Sequence, residues 1–122
     1  MILVDTSVWI DHFRTGSGIL SDALEREEVM THPLVIGELA CWNLARRREV
    51  LGLLSALPGA VVATHDEVIV LIERRRLMGR GIGYIDAHLL AAVSLTGGLK
   101  LWTHDKSLAA IASDFGVAYE HA

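Results

Sequence analysis

Short apolar runs alternate along this chain with longer segments in which apolar residues recur every three or four positions. Continuous runs such as Ile2-Leu3-Val4 predict short buried strands, and the recurring pattern predicts amphipathic helices. The predicted strands cover about residues 2–4, 29–31, 60–63, 99–103 and 117–119. The predicted helices cover about residues 6–13, 19–27, 33–46, 48–57, 66–78, 84–95 and 105–114.

This alternation of strands and helices indicates an α/β fold, a sandwich whose short central sheet is mainly parallel and is flanked by helices. A chain of 122 residues fits one domain, residues 1–122, and is too short for two. Ligands of such sheets bind beyond the carboxyl ends of the strands. Asp5 and Asp105 each follow a predicted strand, so both are expected at that edge.

The composition limits the function classes. Apolar residues make up 52% of the chain and mean hydropathy is +0.39, yet no apolar run is long enough to cross a bilayer, and the N-terminus lacks the pattern of a secretion signal. The apolar surplus predicts a partner surface, of which a homodimer is one case. Cys41 is the single cysteine, which excludes an intrachain disulfide and fits a cytoplasmic protein.

Four acidic residues stand where the pattern calls for apolar ones. They are Asp5, Glu38, Asp86 and Asp105. Each alone has a structural explanation, as a helix cap or a paired core residue. Four converging carboxylates would repel one another, and a hard divalent cation such as Mg²⁺ or Mn²⁺ would satisfy them together. Such a cation activates water and neutralises charge on a phosphodiester, so the four acids favour metal-dependent phosphodiester chemistry.

Hydroxyl side chains flank the acids. Thr6 and Thr103 are predicted to support the site by hydrogen bonding to carboxylates or phosphate, whereas Ser7 is predicted to cap a helix. The sequence argues against two other kinds of site. The glycines of residues 79–83 follow a helix rather than a strand, which excludes a dinucleotide-binding turn, and the histidines lack the spacing of a zinc protease.

The net charge of −4 argues against bulk nucleic-acid binding, but seven of the eleven Lys and Arg residues lie in two clusters. The clusters are Arg46-Arg47-Arg48 and Arg74-Arg75-Arg76 with Arg80. Either cluster is a solvated helix end or a patch for phosphates. We expect the second cluster to contact RNA, with His104 as a further RNA contact, and the first to contact a protein partner. Trp9, Trp42 and Trp102 are predicted to be core or dimer contacts rather than base-stacking platforms.

The four acids lie within ordered motifs that resemble PIN-domain ribonucleases, and more narrowly the VapC-type toxins of toxin–antitoxin pairs. The motifs, which span nearly the whole chain, are Asp5-Thr6-Ser7-Val8-Trp9-Ile10-Asp11, Val35-Ile36-Gly37-Glu38-Leu39, Gly83-Tyr84-Ile85-Asp86-Ala87-His88-Leu89-Leu90-Ala91 and Leu101-Trp102-Thr103-His104-Asp105.

This resemblance implies a PIN-like three-layer sandwich and a Mg²⁺- or Mn²⁺-dependent endoribonuclease, usually dimeric and neutralised by a cognate antitoxin. It places the catalytic and metal-binding quartet on Asp5, Glu38, Asp86 and Asp105, and the supporting hydroxyl of the last motif on Thr103. Some members carry a further acid after the last aspartate, where this chain has Lys106 and Ser107, so a fully acidic second metal site is not expected. The competing interpretations are a receiver-like signalling domain and a non-catalytic binding module.

Overall fold

The sheet has three parallel strands, with the first strand of the chain at its centre. The computed structural model describes residues 1–120, and the last two residues of the predicted domain, His121 and Ala122, lie outside the described residues. The strands are β1 (Ile2–Val4), β2 (Val29–Met30) and β3 (Lys100–Trp102), in the order β2-β1-β3. Leu3 pairs with Met30 on one side and with Leu101 on the other.

Helices cover the sheet and connect its strands, which confirms the predicted α/β class. In the described part of the chain they are α1 (Thr6–Thr15), α2 (Gly18–Glu25), α3 (Pro33–Ala40), α4 (Arg47–Ala56), α5 (His65–Arg75), α6 (Tyr84–Leu95) and α7 (Lys106–Asp114). Asp5 and Asp105 are the N-caps of α1 and α7, each directly after a strand. Both therefore lie at the carboxyl edge of the sheet, as the strand pattern predicted.

Three predicted elements are shorter than expected or absent. The helix predicted for residues 33–46 ends at Ala40, because the chain turns there and the Arg47 guanidinium donates to the carbonyl oxygens of Ala40 and Trp42. Residues 60–63 form no strand: a single bridge joins Thr31 to Gly59, and Val61 and Val62 remain exposed. The predicted strand 117–119 is likewise reduced to one bridge, from Ala118 to Leu101.

The core lies on both faces of β1 and around α6. All three residues of β1 are buried, and the seven consecutive residues from Ala87 to Val93 on α6 are buried as well. Trp9 and Trp102 belong to this core with 3% and 4% exposure, whereas Trp42 is 51% exposed. None of the helices within residues 1–120 is both long and apolar enough to span a membrane.

Truncating Leu101 should destabilise the fold strongly. Leu101 is 1% exposed and pairs with Leu3 in the middle of the sheet, so Leu101→Ala removes buried apolar volume that the sheet cannot refill. We expect chemical denaturation to show a loss of about 2–5 kcal/mol in the free energy of unfolding. Leu53→Ala is the matched control, since Leu53 is 66% exposed and should change stability by about 0.5 kcal/mol at most. Equal losses in the two variants would contradict this description of the core.

Candidate active site

The buried carboxylate of Asp5 is the centre of a hydrogen-bond network. Asp5 follows β1, caps α1 and is 6% exposed. Its Oδ1 accepts from the backbone N–H of Thr6 at 2.8 Å, and its Oδ2 accepts from the hydroxyls of Ser7 and Thr103 at 2.9 and 2.7 Å. Three donors compensate the carboxylate for lost water. The sequence suggested that Ser7 caps a helix. The structure shows instead that Asp5 is the N-cap of α1.

Two threonines connect Asp5 to two other acids of the quartet. The Thr6 hydroxyl donates to Glu38 Oε1 at 2.7 Å, which joins α1 to the middle of α3. The Thr103 hydroxyl donates to Asp5 and accepts from the backbone N–H of Asp105 at 3.0 Å. Both predicted hydroxyls thus donate to carboxylates of the quartet, and their supporting role in a reaction stays a prediction.

Asp86 lies in the first turn of α6, where its Oδ2 accepts from the backbone N–H of Gly83 at 3.1 Å. Burial of this half-buried carboxyl raises its pKa. The hydrogen bond from Gly83 lowers that pKa, while the negative charges of Asp5, Asp105 and Glu38 raise it further. The effect of these three carboxylates on Asp86 shows that the fold brings the predicted quartet into one region of negative charge.

The quartet presents oxygen atoms to solvent on one side and is held by the protein on the other. Glu38, Asp86 and Asp105 each accept a described hydrogen bond through one carboxylate oxygen only. Their other oxygens, Oε2, Oδ1 and Oδ2, accept none from residues 1–120. Hard oxygen donors of this kind fit Mg²⁺ or Mn²⁺.

The side chains do not form a complete cage of protein ligands. In residues 1–120, no three His, Cys, Asp or Glu side chains have the spacing to hold one ion together. Mg²⁺ uses one or two carboxylates and keeps several of its waters, so this spacing is compatible with a magnesium site. The metal-binding role of the four acids therefore stays a prediction, which their donor chemistry supports.

His104 is fixed beside Asp105 by two contacts. Its backbone N–H donates to the Ser7 hydroxyl at 3.0 Å, and its Nδ1 hydrogen-bonds the carboxylate of Asp11. Sequence reasoning did not single out Asp11, although it lies four residues after Ser7 and so on the same face of α1. His104 remains partly exposed, with 43% of its side chain accessible to solvent at the rim of the quartet.

Two buried histidines connect the helices that carry Glu38 and Asp86. His32 is fully buried and caps α3, since its Nδ1 accepts from the backbone N–H of Leu34 at 3.1 Å. His88, on α6, is 7% exposed, and the two ring centroids are 6.1 Å apart. Burial lowers the pKa of both rings and so favours their neutral forms. One local signal for the capping role of His32 is its position just before Pro33, which begins α3.

The second arginine cluster is engaged away from the quartet. The Arg75 guanidinium lies 3.7 Å from the ring centroid of Phe115, and Arg80 forms a 2.9 Å salt bridge with Asp114. These partners lie at the end of α7, about 14 Å along the helix from its start at Asp105 at ~1.5 Å per residue. Arg74 lines a groove between α5 and α6, and Arg76 is the left-handed C-cap of α5. The predicted RNA contacts of Arg74, Arg75, Arg76 and Arg80 thus gain no support from these positions and stay a prediction.

Comparison with known proteins agrees with the motifs. The family model described as PIN domain matches residues 2–114. The protein named Ribonuclease VapC32, in two strains of Mycobacterium tuberculosis, is 52% identical to this chain over 118 residues, which are 97% of this chain and 95% of the relative. The match runs from β1 through α7, and thus includes all four acids of the quartet. The chain belongs to the PIN domain family, and within it to the VapC-type proteins.

Proposed function

We propose that this chain is an endoribonuclease toxin that requires Mg²⁺ or Mn²⁺ and is neutralised by a cognate antitoxin. The observation that carries the proposal is that the negative charges of Asp5, Glu38 and Asp105 all act on the half-buried carboxyl of Asp86, which supports a shared role for the four acids. The 52% sequence identity to a protein named as a ribonuclease supports cleavage of RNA as the reaction. The carboxyl edge of a parallel sheet is also where this fold class binds its substrates.

The residues of the site have two proposed roles in phosphodiester hydrolysis, as metal ligands and as groups that orient those ligands. The oxygens that would hold the ion are Asp5 Oδ1 and the oxygens of Glu38, Asp86 and Asp105 that accept no described hydrogen bond. The ion supplies Lewis acidity and neutralises the charge that builds on the phosphate in the transition state. Thr6 and Thr103 hold Asp5 in one orientation, so the site needs little rearrangement before the reaction.

The negative field of the quartet would repel RNA without cations nearby. His104 has the better support among the proposed RNA contacts, because its two contacts hold it at the rim of the quartet with its ring partly exposed. The proposed contacts of Arg74, Arg75, Arg76 and Arg80 depend on RNA reaching the outer ends of α5 and α7.

The antitoxin is proposed to occupy an apolar groove of about 340 Å³ that α1, α2 and α4 form. Its lining includes Trp9, Phe13, Leu24, Val50, Leu53 and Leu57. An amphipathic helix binds such a groove through its apolar face. Because α1 begins at Asp5, a segment that follows this groove can continue toward the quartet and block it.

A homodimer is proposed to form through a second groove, of about 480 Å³, between α5 and α6. Its apolar floor contains Val70 and Leu95, which are 47% and 49% exposed. Asp66 lies at one end of the groove and Arg74 at the other. In a two-fold contact, the acidic end on one protomer faces the basic end on its partner, so this surface is complementary to itself.

Asp5→Asn should abolish most RNA cleavage. The substitution keeps the size of the side chain but removes the charge of a proposed metal ligand, so we expect a loss of about 10²-fold or more. The measurement is cleavage of total RNA with and without Mg²⁺, followed by end mapping. Asp22→Asn is the matched control, because Asp22 is exposed on α2. Full activity in EDTA would contradict the proposal, and absence of cleavage with every divalent metal would favour a binding module.

Asp86→Asn should leave the protein without added metal as stable as the wild type, or more stable, near neutral pH. The raised pKa of Asp86 means that the folded state disfavours its charged form, so this group lowers stability as pH rises through the acid range. The asparagine removes that cost. Thermal melting with Mg²⁺ should then show a smaller increase for Asp86→Asn than for the wild type. Equal increases would mean that Asp86 does not share in metal binding.

Val70→Glu should convert a dimer into a monomer, because it adds a buried charge at the middle of the proposed contact. Light scattering coupled to size-exclusion chromatography measures the change in mass. Val62→Glu is the matched control, since Val62 is 52% exposed and lies outside this groove. Both variants should keep the wild-type melting temperature of the protomer fold. A Val70→Glu protein that remains dimeric would exclude this surface.

A further inference from the structure

An exposed tryptophan stands next to the first arginine cluster, at the end of the helix that carries Glu38. Trp42 is 51% exposed, whereas Trp9 and Trp102 are in the core. An exposed indole ring leaves a large apolar surface in water. The sequence pattern predicted a core or dimer contact here, so the exposure of Trp42 needs its own explanation.

The backbone holds Trp42 in a defined place relative to Glu38. The N–H groups of Cys41 and Trp42 donate to the carbonyl oxygens of Glu38 and Leu39 at 3.1 and 3.0 Å, which continues the helical turn past the end of α3. The Arg47 guanidinium then donates to the carbonyl oxygen of Trp42 at 2.9 Å. Trp42 therefore follows Glu38 by about one helical turn, and these bonds hold its backbone in place.

Two exposed arginines follow Trp42 within six residues of the chain. They are Arg46 and Arg48, and within residues 1–120 neither guanidinium group has a described hydrogen bond or ion pair. Arg47 is different, because its guanidinium is used to fix the loop. The segment from Trp42 to Arg48 thus presents an exposed indole and two unpaired guanidinium groups, and it directly follows the helix that carries Glu38.

We propose that Trp42, with Arg46 and Arg48, is a binding subsite for single-stranded RNA, in which an unpaired base next to the cleaved phosphate stacks on the indole and the arginines contact neighbouring phosphates. This inference rests on the proposed ribonuclease function and identifies where its substrate binds. Proteins bind single strands through aromatic faces for the bases and cations for the backbone, and this loop offers both. It supplies the positive surface that the quartet lacks, in the segment that directly follows α3, the helix that carries Glu38.

The test measures the affinity of an oligo(A) RNA of about 12 nucleotides for the protein in the Asp5→Asn background, so that cleavage does not interfere. Trp42→Ala should weaken binding by about tenfold, and Trp42→Phe should retain most of the affinity because a phenyl ring still stacks. A duplex RNA of the same length should bind equally to both variants, since its bases are not available for stacking. The RNA should also quench tryptophan fluorescence, because Trp42 is the exposed indole.

The arginines have their own measurement and a matched control. Arg46→Gln with Arg48→Gln should flatten the salt dependence of RNA affinity by about one unit of slope or more, at ~0.7 for each phosphate contact. Arg14→Gln with Arg26→Gln, an equal change of charge at exposed positions on α1 and at the end of α2, should leave the slope close to the wild-type value. An unchanged slope in Arg46→Gln with Arg48→Gln, or an equal fall in both pairs, would overturn the proposed subsite.

Two further outcomes would overturn the proposal. One is wild-type RNA affinity in Trp42→Ala together with a changed oligomeric state, which would make Trp42 a protein contact. The other is equal affinity of Trp42→Ala and Trp42→Phe for oligo(A), even at a reduced level, which would exclude stacking. In either case wild-type cleavage of total RNA would still support the ribonuclease function. If the wild-type protein neither binds nor cleaves RNA, both the ribonuclease function and the Trp42 subsite are wrong.

Discussion

The burial of one carboxylate, that of Asp5, organises the candidate site. A carboxylate with 6% exposure and no cationic partner among the described residues is tolerated only if donors replace its lost water. The donors come from the start of α1 and from Thr103 at the end of β3. Asp5 can receive them all because β1 and β3 are adjacent and parallel, so their carboxyl ends lie side by side. The sheet order and the site are thus parts of the same arrangement.

The hydrogen-bond network around Asp5 also brings negative charges together, which costs stability at the site proposed to carry the reaction. Thr6 joins Asp5 to Glu38, and Thr103 joins Asp5 to the backbone of Asp105. Burial, and secondly the negative charges of these three carboxylates, raise the pKa of Asp86 and so disfavour its ionisation. A fold selected only for stability would separate or neutralise these charges. Their position at the ligand edge of the sheet supports the proposed cation-dependent reaction.

The protein surface has distinct apolar and basic regions that the net charge of −4 does not reveal. Two apolar grooves lie on different helices, one formed by α1, α2 and α4 and the other by α5 and α6, which suits two protein partners at once. The arginine clusters are also unlike each other. Arg75 and Arg80 have partners on the same chain, while the Arg46 and Arg48 side chains are exposed in the segment that follows Trp42. Equal charge in the sequence therefore does not mean equal availability to RNA.

The sequence by itself determined the fold class, the order of the elements and the four acids. Each depends on local signals, namely apolar runs for strands, a 3.6-residue period for helices and polar interruptions for site residues. The helix α6 was predicted with its exact bounds, because its apolar pattern is closed by glycines at both ends. Tertiary contacts decided the rest. The helix α3 ends six residues earlier than predicted, where the Arg47 guanidinium donates to the carbonyl oxygen of Ala40. Residues 60–63 form no strand, and a single bridge at Gly59 precedes them. Only the packed structure could show that His32 and His88 are buried and that Trp42 is exposed. The contact of Arg75 with Phe115 likewise depends on the packing of distant segments. Local sequence does not specify which distant segments cover or contact a residue.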